Sequence, residues 1–324
     1  MVTVGLVTNP TSGHGRARSH IKKIVQRLRD NHLTVIDATA DSYESTHRAA
    51  HALARQGVSA LVTVGGDGMV HLGVDSVAGT NVPLGIIPLG TGNDVSRHFA
   101  IPTSVNQAVD LIATALRYPD DYIATSDVIE TTRPDGTPLD LGHQFSMAIV
   151  SAGIDASINA RANAMRWPRQ SGRYVRAVME ELPQIHSYGY TITTDHSTFT
   201  GKAIVVSAAN TRYFGGGMDI VPHADPTDGY LDLIRIDPVP PLEALRVFPQ
   251  LFKGGHINHP AVHCERTRQV LIEYAPGPDV ARPWAHPPLP YSDGEALADL
   301  PLLIRSCPQG VRVITPRKDS GNVN

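Results

Sequence analysis

Gly65-Gly66-Asp67-Gly68 stands where an apolar, β-branched run, Val58–Val64, gives way to a helical pattern. Glycines at a strand end that leads into a helix present bare backbone N–H groups at the positive helix end, which suits phosphate. A carboxylate among them repels phosphate. Asp67 makes chemical sense if it holds a metal ion or an incoming hydroxyl, so the stretch points to phosphoryl transfer rather than to phosphate binding alone. Gly90-Thr91-Gly92-Asn93-Asp94 echoes the pattern after the next strand, and Asn9-Pro10-Thr11-Ser12-Gly13 follows the first one, with the Ser12 hydroxyl as an added donor. Each loop also reads as an ordinary strand-to-helix turn built from turn-forming residues. Two glycine loops at successive strand ends make coincidence a weaker account. The Gly-Lys-Ser/Thr of a Walker loop is absent.

Two acidic turns follow late in the chain. Asp225-Pro226-Thr227-Asp228-Gly229-Tyr230 brings together two carboxylates and a glycine that lets the chain fold back, a donor set for a hard divalent cation with help from a backbone carbonyl. Tyr291-Ser292-Asp293-Gly294-Glu295 offers carboxylates of which one could take the proton from an attacking hydroxyl. A solvated turn is the plainer reading of each. His256-x-x-His259-x-x-x-His263 has zinc-like spacing, but Gly254-Gly255 and Pro260 break any helix that would align it. The other histidines carry no assignment, and no Ser/His/Asp or Cys/His constellation is present.

The loops need a scaffold, and the first half of the chain supplies one. Strand patterns at 2–8, 33–38, 58–64 and 84–88 alternate with helical patterns at 17–31, 43–56, from Val70 through Val77, and at 105–117. This is the order of a parallel sheet covered on both faces, whose binding loops lie at the carboxyl ends of its strands. After Asp127 the texture changes. Strand patterns at 126–132 and 144–150 flank Arg133-Pro134-Asp135-Gly136, helices fill 153–186 with a break at Trp167-Pro168, and short strands follow at 188–194, 203–209, 230–236, 268–274 and 311–315. Regular turn spacing predicts an antiparallel sandwich or barrel. The expected class is therefore α/β plus all-β, with residues 1–127 as the nucleotide-binding domain, 128–316 as the substrate domain, a return of its C-terminal end to the first domain being left open, and 317–324 as a tail.

The 324 residues carry a net charge of −3, 41% apolar and 18% charged residues, and no long apolar run, which argues against a membrane span and a general nucleic-acid binder. Cys264 and Cys307 are too few for a disulfide framework, and the chain opens directly on a strand pattern, so a reducing, cytoplasmic setting is expected. Arg161, Arg166, Trp167, Arg169, Arg173 and Arg176, with Val175, Val178 and Met179, form a candidate contact with anionic headgroups, or an ordinary basic helix.

With these residues assembled, the chain resembles the diacylglycerol kinase catalytic-domain family, which includes sphingosine and ceramide kinases, and is most similar to its soluble actinobacterial members. The resemblance rests on NPTSG at 9–13, VGGDGMVH at 64–71, LGIIPLGTGNDVSRHF at 84–99, NTRYFGGGMDIVPHADPTDGYLDL at 210–233 and SDGE at 292–295. It implies a three-layer α/β domain, a C-terminal β-sandwich and ATP in the cleft between them. By matching position, ATP is held by Asn9, Pro10, Thr11, Ser12, Gly13, Thr39, Gly66, Asp67, Gly68, Met69, Val70, His71, Leu72 and Thr91. Mg2+ is held by Asp225, Asp228 and the Tyr230 carbonyl, Asp67 faces the catalytic magnesium, and the proton acceptor is Glu295 first, Asp293 second. Met69 stands where the family most often has Thr, which removes a hydroxyl near the phosphates. The resemblance implies phosphorylation of diacylglycerol to phosphatidic acid by a peripheral enzyme at the inner membrane surface, and leaves a homodimer open. A kinase of another lipid (long-chain base, glycolipid or phospholipid), an NAD kinase and a non-catalytic nucleotide-responsive lipid-binding protein are the alternatives.

Overall fold

The computed structural model describes residues 2–8, 16–139, 143–165, 172–181, 185–279 and 281–317. The chain divides into two compact units, 1–126 with 309–324, and 127–308.

In the first unit β1 (Thr3–Thr8), α1 (Arg16–Asp30), β2 (Thr34–Asp37), α2 (Tyr43–Arg55), β3 (Ala60–Gly65), α3 (Asp67–Val77), β4 (Leu84–Pro88), α4 (Asp94–His98) and α5 (Val105–Arg117) follow in order. The strands pair in parallel as β2-β1-β3-β4, with Val4 opposite Ala60 and Leu61 opposite Leu84. Every residue of β3 and β4 is buried, because both faces of a parallel sheet are covered by helices. Val4, Leu6, Val62 and Val64 pack with Ile24 and Leu28 of α1 and Val109 and Ile112 of α5. The opposite face receives α2 and α3. There Gly5 admits Leu53, whose Cδ1 lies 2.7 Å from where a Cβ would stand. α3 is buried from Met69 to Val77, which explains why its apolar residues run all round rather than along one stripe.

The second unit is antiparallel. Val262–Thr267, Leu231–Ile236, Val205–Ala209, Ile149–Ser151, Tyr291–Ser292 and Glu295–Ala296 form one sheet in that order. Gln269–Tyr274, Tyr188–Thr194 and Thr198–Ala203 pair in another with the start of Leu302–Ile314. Val206, Ala208, Leu231 and Leu233 from the first sheet pack on Tyr190, Ile192, Val270 and Ile304 from the second, so the unit is a sandwich. Helices Ile154–Ala164 and Gly172–Glu181 follow Ile149–Ser151.

Several expected elements differ. The strand expected over 144–150 is split into Phe145–Ser146 and Ile149–Ser151, because the amides of Met147 and Ala148 turn to a side chain instead of a neighbouring strand. The strand expected over 311–315 runs instead from Leu302 to Ile314: Pro308-Gln309-Gly310 reads as a turn, and Gln309 has φ 54°, yet the strand continues past this irregularity. Thr198–Ala203 and Val262–Thr267 are strands the periodicity did not single out. The break expected at Trp167-Pro168 lies outside the described residues. Among the described residues no helix is long and apolar enough to cross a membrane.

Candidate active site

The order β2-β1-β3-β4 reverses between β1 and β3, and loops at the carboxyl ends beside such a reversal are where open α/β sheets bind ligands. The loop after β3 is the Gly-Gly-Asp-Gly turn. Gly66 precedes α3, and its carbonyl accepts the amides of Met69 at 2.9 Å and Val70 at 3.2 Å, which leaves the first-turn amides ahead of them directed along the helix axis. The loop after β4 lies against it. Leu89 and Gly90 donate their amides to the Gly65 carbonyl at 2.8 and 3.1 Å, and a Cβ on Gly90 would stand 2.2 Å from the Gly66 Cα. Only glycine allows this backbone-on-backbone approach. Asn93, at φ 51°, closes its own loop by bonding Gly90 through both amide atoms, and Asp67 Oδ1 accepts the Asp94 amide at 2.8 Å.

Thr39, after β2, accepts the Thr8 amide at 3.0 Å, so the carboxyl ends of β1 and β2 are tied together. Thr91 is exposed at the loop tip. Met69, Val70, His71 and Leu72 turn their side chains into the packed interior, so at this turn the backbone of Gly66–Gly68 and the Asp67 side chain are the groups ahead of the buried helix. The hydroxyl that Met69 lacks would therefore point into the core here. Asn9, Pro10, Thr11, Ser12 and Gly13 lie outside the described residues.

In the second unit Asp293 and Gly294, at φ 48° and 93°, form the two-residue turn of a small hairpin in which Ser292 faces Glu295 and Tyr291 faces Ala296. Asp-Gly is the residue pair that such a turn favours. The Asp293 carboxylate is buried. Its Oδ2 accepts the Met147 amide at 2.7 Å, and its Oδ1 accepts those of Ala148 and Ile149 at 2.9 and 3.0 Å. Both oxygens are thus committed to the main chain, while Glu295, half-buried on the next strand, is the other carboxylate of the turn. The two carboxylates, expected as proton acceptors in the order Glu295 then Asp293, thus sit in different surroundings.

Asp225 accepts the Thr227 amide and hydroxyl at 3.0 and 2.6 Å, and Asp228 accepts the Tyr230 amide at 2.9 Å while pairing with Arg266. Asp127, which the sequence reading passed over, accepts the Gly229 amide at 2.7 Å and donates its own amide to Pro226. Nearby, burial pushes the Asp232 carboxyl up, and the charges of Asp228 and Asp225 add to this while Arg266 opposes it. Clustered carboxylate oxygens suit Mg2+, with Arg266 as the competing cation.

His256, His259 and His263 do not converge. His256 Nε2 is 2.9 Å from the Ile220 carbonyl, His259 pairs with Glu243 and His263 with Asp237. Burial holds His256 below the usual imidazole range. The basic character expected of 161–186 is reduced, because Arg161 pairs with Glu180 and Glu181, and Arg176 with Glu180. Val178 is buried and Met179 exposed, while Arg166, Trp167 and Arg169 lie outside the described residues.

Sequence reading also missed an apolar cavity within the second unit, with about 970 Å3 of free space counting the part open to solvent. Ile149, Ile158, Ile204, Ile234, Phe248 and Val262 are among its walls, and among the described residues Asp155 is the only carboxylate on them. Ser207 Oγ donates to Asp155 at 2.5 Å and the Gly153 amide at 3.0 Å. Burial nevertheless pushes the Asp155 carboxyl up. The cavity is assembled from five separate stretches of chain, which no local pattern announces.

Two family models match the chain: the diacylglycerol kinase catalytic domain over residues 3–124, and the YegS C-terminal NAD kinase beta sandwich-like domain over residues 148–315. A diacylglycerol kinase of Mycobacterium tuberculosis is 33% identical over 317 residues, covering 97% of this chain and 95% of that protein. The diacylglycerol kinase of Bacillus subtilis is 25% identical, covering 82% and 84%. A solved diacylglycerol kinase structure from Bacillus anthracis has TM-score 0.68 at 20% identity, covering 97% of each chain, and yeast NADH kinase complexed with NADH has TM-score 0.53 at 12% identity, covering 98% and 84%. The last two are likenesses of fold. The chain belongs to the diacylglycerol kinase catalytic-domain family, and it is a kinase.

Proposed function

We propose that this protein transfers the γ-phosphoryl group of ATP to the free hydroxyl of diacylglycerol, giving phosphatidic acid and ADP. The observation that carries the lipid reading is the apolar cavity of the second unit, to whose wall the acidic hairpin is bonded: Asp293 accepts the amide of Ile149, a cavity residue. An apolar cavity with a few polar groups at its edge suits an acyl chain attached to a polar head. Names of the curated relatives point the same way.

Phosphoryl transfer asks mainly for positioning and charge neutralisation. The amides of Gly66–Gly68 and of Thr91–Asn93 in the next loop hold the triphosphate. Glu295 takes the proton of the acceptor hydroxyl as its oxygen bonds to the γ-phosphorus and the bridging P–O bond to ADP breaks. Asp293 positions Glu295 by fixing the hairpin to the Met147–Ile149 amides. Asp67 would face a catalytic Mg2+, which would supply neutralisation of the phosphate charge, and Asp225, Asp228 and the Tyr230 carbonyl would hold a second, structural ion. The substrate resides in a bilayer, so the protein works at a membrane surface.

Radiolabelled ATP with micellar diacylglycerol, a long-chain base, and NAD in parallel tests this reading. Labelled phosphatidic acid is expected; label in another acceptor and none in diacylglycerol would replace it. Substituting Ile234→Trp, which fills the cavity, is expected to raise KM for the lipid without changing that for ATP. Flotation with vesicles is expected to show binding that requires diacylglycerol or anionic lipid.

A further inference from the structure

His47 and His51 are four residues apart on α2, hence on one face of it, and Asp75 reaches them from α3. Both imidazoles direct Nε2 at the same oxygen: His47 lies 2.8 Å and His51 3.3 Å from Asp75 Oδ2. The three donor atoms lie within 4.8 Å of one another. Two ligands of a tetrahedral ion with bonds of about 2.1 Å are about 3.4 Å apart, so one ion reaches all three after small side-chain movements. The His47 and His51 rings meet edge to face at 4.5 Å, and Tyr43 stacks over His47 with an interplanar angle of 8°, which fixes the first imidazole.

Burial argues for a cation here. The Asp75 side chain is 4% exposed, so a cation bound to its carboxylate sits largely out of water, where the attraction is strong. His51 is 33% exposed, so solvent, and an ion, can reach the cluster from its side. Two imidazoles and one carboxylate favour a transition metal over Mg2+ or Ca2+, which take oxygen donors. Histidines at i and i+4 on a helix, completed by a distant carboxylate, are a recurrent way to hold zinc.

We propose that His47, His51 and Asp75 bind one transition-metal ion of the zinc class, which clamps α2 to α3. The site takes no part in phosphoryl transfer: Asp75 is more than two turns along α3 from Asp67, about 12 Å by the helical rise. Its effect is to hold in place the helix whose first turn carries Gly66–Gly68. The sequence signal is the His-x-x-x-His spacing at 47–51 inside a predicted helix, which was passed over because the third ligand is more than twenty residues away.

The test titrates chelator-stripped, full-length protein with Zn2+ in excess Mg2+, by calorimetry and thermal melting, and repeats it with Co2+ followed by visible absorption. One equivalent is expected to bind with Kd at or below about 1 μM, to raise the melting temperature, and to give Co2+ d–d bands of a four- or five-coordinate centre. His51→Ala and Asp75→Asn are each expected to weaken binding at least about tenfold and to remove the thermal shift. His51→Ala changes the most exposed of the three ligands; should it lower the metal-free melting temperature, His51→Gln supplies the same comparison. Absence of Zn2+ binding to the wild type overturns the proposal, because the cluster is then an imidazole–carboxylate hydrogen-bonded group. Unchanged affinity in the variants overturns it too, by placing the ion elsewhere.

Discussion

Asp67 Oδ1 accepts the backbone amide of Asp94 at 2.8 Å, so the carboxylate in the loop after β3 caps the helix that begins after β4. Asn93, the formal cap, spends its side chain on Gly90 instead. The residue proposed to face a metal-bound phosphate therefore also joins the two glycine loops, a division between chemistry and structure.

That division predicts different outcomes for two substitutions. Asp67→Asn keeps an oxygen acceptor for Asp94 and is expected to lower stability by less than about 1 kcal/mol, whereas Asp67→Ala loses the cap and costs about 1–2 kcal/mol. Both are expected to reduce kcat by about a hundredfold or more, because both remove the charge. Urea midpoints set beside steady-state rates check the split.

Gly90→Ala is expected to destabilise the fold by about 1–3 kcal/mol and to weaken nucleotide binding, since its Cβ would meet the Gly66 Cα at 2.2 Å. Thr91→Ala, at the exposed tip next to it, should leave the melting temperature unchanged. Denaturation together with fluorescent nucleotide titration compares the pair.

Asp293 and Glu295 are expected to separate by readout. Asp293→Ala strands three main-chain amides and should cost about 2–4 kcal/mol of stability along with activity. Glu295→Gln should keep the wild-type melting temperature and ATP affinity while losing turnover about a hundredfold or more. A Glu295→Gln enzyme with near-normal kcat would remove Glu295 from the role of base.

Burial raises the Asp155 carboxyl above its ordinary value of 3.8. In the interval between the ordinary and raised values the folded state holds more protons than the unfolded one, so the group's contribution to stability falls as pH rises. Asp155→Asn removes this dependence. The melting temperature of the variant minus that of the wild type should therefore grow with pH across that interval and then level off, which melts over a pH series will reveal.

Arg266 competes for Asp228 with any cation at the Asp225–Tyr230 turn. Arg266→Ala is expected to lower the Mg2+ concentration for half-maximal rate, and Asp228→Asn to raise it, each by roughly tenfold. Rates at saturating ATP over a Mg2+ series give both values.

The parallel sheet was legible because β3 and β4 are buried on both faces and so read as apolar runs, with glycine turns marking their carboxyl ends. Val58–Val64 and Leu84–Pro88 illustrate this, although β3 itself spans Ala60–Gly65. The edges of the sandwich were less legible. Thr198–Ala203 alternates exposed and half-buried positions with polar residues and a glycine, and Leu302–Ile314 hides behind a Pro-Gln-Gly sequence that imitates a turn. The separation of Asp293 from Glu295 was beyond local reading, because the amides that hold Asp293 are about 145 residues earlier in the chain.

Sequence by itself determined the chemistry on offer: glycine loops at strand ends, an aspartate among them, and two acidic turns, since residue type and short spacing decide which backbone shapes and charges are available. Tertiary structure decided which groups use them. Burial turned Met69–Leu72 inward, main-chain amides claimed Asp293, the walls of an apolar cavity came from distant strands, and Asp75 met His47 and His51 across two helices. Those outcomes depend on which atoms become neighbours after the chain has closed on itself, and no window of local sequence contains them.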